Sequence, residues 1–241
     1  MRVIRACVDA PLAIGARVAL PEGVAGHLVR VLRLGAGDAC VLFNGDGCNY
    51  DARIVSTAKK SVEVEIEGMR EVRNESPLRI VLVQGIARGE KMDLILQKAT
   101  QLGVASIVPV HSERSEVRLQ GERAQKRLRH WRSVVVSACE QSGRACVPEV
   151  AAPGPLADAL ADLPKMRLLL DPEAAQSLPS TVDGGACALA IGPEGGWSPR
   201  DVATLEAAGF VGARLGPRIL RTETAGLAAI AALQALAGDF A

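Results

Sequence analysis

The 241 residues exceed one small domain, and a chain that is 49% hydrophobic and 23% charged has the composition of a globular protein, which excludes disordered and fibrous classes. No apolar run reaches the roughly 18 to 20 residues of a membrane span, and no charged and then apolar leader opens the sequence. Six cysteines without a CxxC pair, together with only three histidines, provide neither a disulfide framework nor zinc-ligand spacing, so no metal and a cytoplasmic setting are expected.

The total of 28 basic against 27 acidic residues conceals an uneven field. Residues 76–150 carry 12 basic groups against 7 acidic, whereas residues 151–241 carry 6 against 10. A basic middle segment of this kind can steer a polyanion although the whole chain is nearly neutral.

Taken in chain order, the first seventy residues alternate β-branched and apolar with polar residues between closely spaced turns, a strand-rich pattern. One short helix is predicted over Pro21–Leu32, with Val24, Leu28, Val31 and Leu32 on one face and His27, Arg30 and Arg33 on the other. Asn44-Gly45-Asp46-Gly47 between Val41–Phe43 and Tyr50–Val55 predicts a hairpin, because its glycines supply the positive φ that such turns need. A final strand is expected to end near Met69, and Asn74-Glu75-Ser76-Pro77 closes a linker, dividing the chain into 1–72 and 73–241.

Beyond the linker, strands and helices alternate. Strands are predicted at 78–83, 104–110, 167–170, 187–191 and 211–215, and helices at 89–102, 121–142, 155–162, 199–208 and 223–237. This alternation predicts a parallel sheet covered by helices. Ser198-Pro199 with Asp201 predicts a capped helix start, and Gly103 a helix stop. The last helix has almost no charge after Glu223, so burial on most sides is expected.

Three loops carry the chemical signal. Strand 187–191 runs into Gly192-Pro193-Glu194-Gly195-Gly196-Trp197, where open α/β sheets place ligands, and its glycines let a ligand approach the backbone. The spacing fits neither GxGxxG nor GxxxxGK[ST]. The second loop is Leu215-Gly216-Pro217-Arg218-Ile219-Leu220-Arg221-Thr222-Glu223-Thr224. Helix capping by Thr222 or Thr224 and dipole pairing by Glu223 explain part of it, but not two arginines beside an apolar helix. The third loop, Gly89-Glu90-Lys91-Met92-Asp93, opens an amphipathic helix.

These segments resemble the RsmE family: Gly89–Gly103, Ile107–Glu116, Glu140–Arg144, Ile191–Ser198 and Leu215–Ala225, with His27–Arg33 and Phe43–Ile54 in the N-terminal region. The resemblance implies an α/β protein in which a PUA-like β-barrel precedes a SPOUT α/β domain with a C-terminal trefoil knot. It implies a homodimer that methylates N3 of one uridine in 16S rRNA of the small ribosomal subunit with S-adenosylmethionine. It places the donor against Leu170, the turn Gly192, Pro193, Glu194, Gly195 and Gly196, and the loop residues Leu215, Gly216, Ile219, Leu220, Arg221, Thr222 and Thr224. A related knotted enzyme acting on ribose 2'-OH, and a non-catalytic RNA-binding assembly factor, are the alternatives.

Such a site must align N3 with the donor and manage its proton, which requires no metal. A guanidinium would stabilise the charge spreading onto the uracil oxygens, with Arg221 the first choice and Arg88 the second. Glu194 and Glu223 are the candidate bases. For RNA contact, the run around Arg123, Arg127 and Arg129 is joined by Arg114 and, in the N-terminal region, by Arg2, Arg5, His27, Arg30 and Arg33. Aromatic residues make up only 2% of the chain, so recognition through phosphates and shape is expected rather than stacking.

Overall fold

Alternation sets the N-terminal sheet. The computed structural model describes residues 4–58, 61–178 and 185–240. Strands β1 (Arg5–Cys7), β2 (Arg17–Ala19), β3 (Ala39–Phe43), β4 (Cys48–Thr57) and β5 (Val62–Glu71) lie in the order β1-β3-β4-β5-β2. In β5, Val62, Val64 and Ile66 point into the core while Glu63, Glu65 and Glu67 face outward, the period-two pattern of a sheet with one covered face. The expected hairpin joins β3 to β4, with Gly45 at φ 96° and Gly47 at φ 88°. Strand β5 runs two residues past the Met69 expected from the sequence.

The predicted helix over Pro21–Leu32 is real but is wound differently. Helix α1 (Glu22–Gly26) continues as a π-turn over His27–Val31, closed by the Leu32 amide donating to the His27 carbonyl at 3.1 Å. The wider turn rotates the expected apolar face out of register. Leu28 stays fully buried, whereas Val31 and Leu32 are 65% and 37% exposed.

Two compact units are present: residues up to Glu75 with Cys139–Val147, and Ser76–Ala138 with Pro148 onward. The short insertion is fixed within the first unit. The Cys7 amide donates to the Glu140 carboxylate at 3.1 Å, and the buried Arg144 guanidinium forms a two-pronged ion pair with Glu75.

The second unit is the predicted parallel sheet. Its strands β6 (Arg79–Gly85), β7 (Ser106–His111), β8 (Glu149–Val150), β10 (Met166–Leu170), β11 (Ala186–Ile191) and β12 (Val211–Ala213) follow the order β12-β10-β11-β6-β7-β8, and β9 (Gly154–Pro155) pairs with β7. Every pairing is parallel. The near-continuous burial of β6 and β11 marks them as central strands covered on both faces. Helices α2 (Glu90–Gln101), α4 (Pro199–Ala207), α5 (Thr222–Ala237) and all but the last turn of α3 (Gly121–Ser142) complete the unit. The helix expected at 155–162 is only a 3-10 turn, Leu156–Ala159. Gly154-Pro155 is drawn into the sheet beside β7, and Asp162 takes φ 55°, which leaves room for one turn.

The start of α4 is a reciprocal capping box: the Asp201 amide donates to Ser198 Oγ at 3.0 Å and the Ser198 amide to Asp201 Oδ2 at 2.9 Å. Helix α5 departs from the expectation of burial on most sides. Gly226, Ala229, Ile230, Leu233 and Gln234 are buried, but the other face is half-open, and Leu236 is 48% exposed. Alanine-rich sequence without charge therefore marks a helix with one covered face within this chain.

Candidate active site

The loops leaving the carboxyl ends of β10, β11 and β12 converge on one cleft of about 900 Å³, the position where open parallel sheets bind ligands and within the usual size range of small-molecule sites. Leu170, Gly192–Gly196, Leu215 and Ile219–Thr222 all line it, and Glu223 joins them. Gly216 and Thr224 do not line it. The structure thus brings together most of the residues expected to hold a donor.

Beneath the turn lies the end of β6. A side chain at Gly85 would place its Cβ 2.5 Å from Pro193 Cδ, so only glycine allows the turn to rest on the strand. Neither threonine caps α5, contrary to expectation. Arg221 occupies the cap position without a side-chain bond, and the Thr222 hydroxyl instead donates to the Gly192 carbonyl at 2.5 Å. The fully buried Gln84 donates through Nε2 to Thr222 Oγ1 at 3.1 Å.

Glu194 ties two loops together. Its Oε1 accepts the Arg88 amide at 3.0 Å and lies 3.4 Å from Lys91 Nζ. Burial alone raises its pKa, but the Arg88 amide, its own amide and the Lys91 ammonium outweigh burial and hold the carboxyl below its ordinary value of 4.5. A depressed carboxylate pKa makes this tether fully present above the ordinary range, and the tether loosens as pH falls through the lower folded value. At neutral pH Glu194 is a bound anion and a poor proton acceptor.

Arg88 has its guanidinium on Glu116 at 2.8 Å and does not line the cleft. Arg221 is exposed and lines the cleft, and neither a hydrogen bond nor an ion pair engages its side chain among the described residues. Beside it, Glu223 Oε2 and the Trp197 indole N–H are buried without partners in the described structure. The free guanidinium of Arg221 therefore stands at a cleft whose lining also includes Glu223 and Trp197, with Leu170, Leu215 and Leu220 half-buried around it.

The RNA candidates separate. Arg123, Arg127 and Arg129 lie on α3, with Arg123 and Arg129 exposed and Arg127 half-buried, and His27, Arg30 and Arg33 are exposed on the N-terminal unit. Arg5 is engaged internally: it donates to Asn49 Oδ1 at 2.5 Å and to the Arg144 carbonyl at 2.9 Å, and its guanidinium lies 4.7 Å from the Phe43 ring centroid. Arg114 lines the cleft and donates to the Gly195 carbonyl at 3.2 Å. Arg2 lies outside the described residues. Sequence reading missed Gln84 altogether, and it placed Lys91 and Trp197 in signal loops without giving either a role in the site. A glutamine ending the apolar run Ile80–Val83 was the available signal for Gln84.

Gly195→Val tests the turn. A Cβ there meets Arg114 Cβ at 3.1 Å and the Arg114 carbonyl at 3.3 Å, so valine displaces the turn or Arg114. Affinity for S-adenosylmethionine, measured by calorimetry, is expected to fall at least about tenfold while the midpoint of thermal unfolding moves little, because the position is exposed. Unchanged affinity would remove this turn from the donor site.

Residues 74–234 match the family model of an RNA methyltransferase domain, and residues 20–67 match that of an RNA methyltransferase PUA domain. The parallel sheet with its strand-end cleft is therefore an RNA methyltransferase domain. Ribosomal RNA small subunit methyltransferase E of Buchnera aphidicola (subsp. Schizaphis graminum) is 32% identical over 99% of this chain and 98% of the relative. Its counterpart in Bacillus subtilis is 30% identical over 86% and 85%. The crystal structure of the Neisseria gonorrhoeae protein of that name, bound to S-adenosyl methionine, is 44% identical and covers 100% of both chains with a TM-score of 0.94. A methyltransferase from Legionella pneumophila in complex with SAM is 37% identical, with full coverage of both chains and the same TM-score. This chain belongs to the ribosomal RNA small subunit methyltransferase E family.

Proposed function

We propose that the protein transfers a methyl group from S-adenosylmethionine to N3 of one uridine in 16S rRNA of the small ribosomal subunit. It acts in the cytoplasm as a homodimer, with residues 1–72 as a PUA-like barrel that binds RNA and residues 73–241 as a SPOUT domain. The single observation that carries this reading is the convergence of three strand-end loops on one cleft, in a chain of this family. A trefoil knot at the C-terminal end belongs to the same reading. The hydrogen bond from Thr222, the first residue of α5, to the Gly192 carbonyl ties the last helix to that turn and supports it, against the strong general prior for unknotted chains. The half-open apolar face of α5 supports a second copy as its cover.

The residues present fit the donor. Half-buried Leu170, Leu215 and Leu220 suit an adenine, and the glycines of the turn let its edge approach the backbone closely. When bound, S-adenosylmethionine supplies a methyl group already activated on sulfonium. The protein's tasks are then to hold the uracil in line and to move one proton. In this reading the exposed Arg221 guanidinium serves the uracil oxygens, where charge accumulates as N3 loses its proton, and the Glu223 carboxylate at the same cleft takes that proton. Glu194 and Arg88 hold the loops around them.

The test is transfer of labelled methyl to small subunits from a strain lacking the modification, followed by nucleoside mass analysis. Formation of 3-methyluridine is expected; 2'-O-methylated product would assign a different knotted enzyme, and no transfer would contradict catalysis. RNA contact through α3 has its own test. Arg127→Glu with Arg129→Glu should weaken binding and flatten the salt dependence by about 0.7 to 0.9 in log–log slope per lost phosphate contact. An unchanged slope would leave α3 a solvated face.

A further inference from the structure

We infer that Gln84 is a positioning residue of the methyl-transfer site, acting through the Thr222 hydroxyl on the Gly192 carbonyl. The inference rests on the methyltransferase reading above and adds to it a device that sets the geometry of the cleft from below.

The direction of the hydrogen bonds is fixed by chemistry. The Gly85 carbonyl can only accept, so the group 2.9 Å from it is the Gln84 amide nitrogen. The same nitrogen reaches Thr222 Oγ1 at 3.1 Å, and with that lone pair occupied the Thr222 proton is directed to the Gly192 carbonyl at 2.5 Å. A one-way chain therefore runs from β6 through the first turn of α5 to the glycine turn after β11. Gln84 is fully buried and Thr222 is 7% exposed at the edge of the cleft, so the bond between them is shielded from water, and bonds in such a setting reinforce one another.

The chain joins the two halves of the site. Gly192 opens the turn proposed to hold the donor, while Thr222 sits between Arg221 and Glu223, the residues assigned to the uracil. The contact of Pro193 with Gly85 already sets the height of the turn over β6. The hydroxyl sets its distance from α5. Releasing that bond lets the donor turn and the pair Arg221 and Glu223 move independently, which degrades alignment more than binding of the distant parts of the RNA.

The test uses the full-length protein and compares wild type, Thr222→Val, Thr222→Ser and Gln84→Met. The readouts are kcat and KM with unmodified small subunits, S-adenosylmethionine affinity by calorimetry, and thermal midpoint. Thr222→Val keeps the shape and removes the hydroxyl. It should lower kcat at least about tenfold, and weaken donor affinity in the same direction, with KM for the subunit within about threefold. Thr222→Ser should recover most of the loss, and Gln84→Met should follow valine. A Thr222→Val enzyme within about twofold of wild type in kcat overturns the inference. A serine variant as slow as the valine variant also overturns it, because the methyl packing and not the hydroxyl would then matter. Loss of the fold in both Thr222→Val and Gln84→Met overturns it too, by making the chain a stability element. A wild type that transfers no methyl group counts against the methyltransferase reading instead, and is told apart because failure of the latch requires an active wild type.

Discussion

Arg221→Ala should lower kcat by about 10²- to 10³-fold, the usual cost of removing one donor aimed at charge that develops only in the transition state. Affinity for S-adenosylmethionine should fall much less than kcat, since the catalytic role proposed for Arg221 lies with the uracil while its place on the donor loop adds only a part of the binding. Stability should hold as well. The Arg221 side chain is exposed and unengaged among the described residues, so its removal orphans no partner. Its backbone, at φ −67° and ψ 153°, is an extended conformation that alanine takes freely at a helix cap. Single-turnover rates read beside calorimetry separate the two effects. Equal losses in rate and donor affinity would make Arg221 a cofactor ligand only.

Glu223→Gln carries the second large effect. Glutamine preserves the shape and removes the capacity to take the N3 proton, a contribution of about 10²- to 10⁴-fold for a positioned base. A fall in kcat of at least about 10² is expected, while the lost pairing with the α5 dipole costs only about 0.3 to 1 kcal/mol of stability. Glu194→Gln is the matched comparison, expected to stay within about tenfold because its oxygen still accepts the Arg88 amide while the Lys91 ion pair is lost. A larger loss with Glu194→Gln than with Glu223→Gln would move the proton acceptor to Glu194.

Much of the fold was legible because its signals are local. Glycines at 45 and 47 mark the hairpin, Ser198-Pro199 with Asp201 marks a helix start, and the apolar runs of β6 and β11 mark central parallel strands. What escaped is set by register or by distance along the chain. The π-turn at His27–Val31 changes the helical period, so the face drawn through Val31 and Leu32 emerges exposed. Arg5 and Arg114 show that charge states what a side chain can do but not where the fold has placed it. One is bonded within the N-terminal unit and the other lines the strand-end cleft. The bond from Gln84 to Thr222 spans 138 residues, and the tether from Arg88 to Glu194 spans 106; no periodicity reports either. The loops after β11 and β12 were recognisable from their residues and the one after β10 only from the family resemblance, but their meeting in one cleft is a property of strand order.

These loops are proposed to hold an adenosyl group. A crystal structure of this chain grown with S-adenosylmethionine tests it most directly. The account predicts the adenine between Leu170, Leu215 and Leu220, with the sulfonium methyl open toward Arg221 and Glu223. Density for the ligand at any other site, or a fully exposed sulfonium with Arg221 and Glu223 on the far side of the cleft, would contradict it.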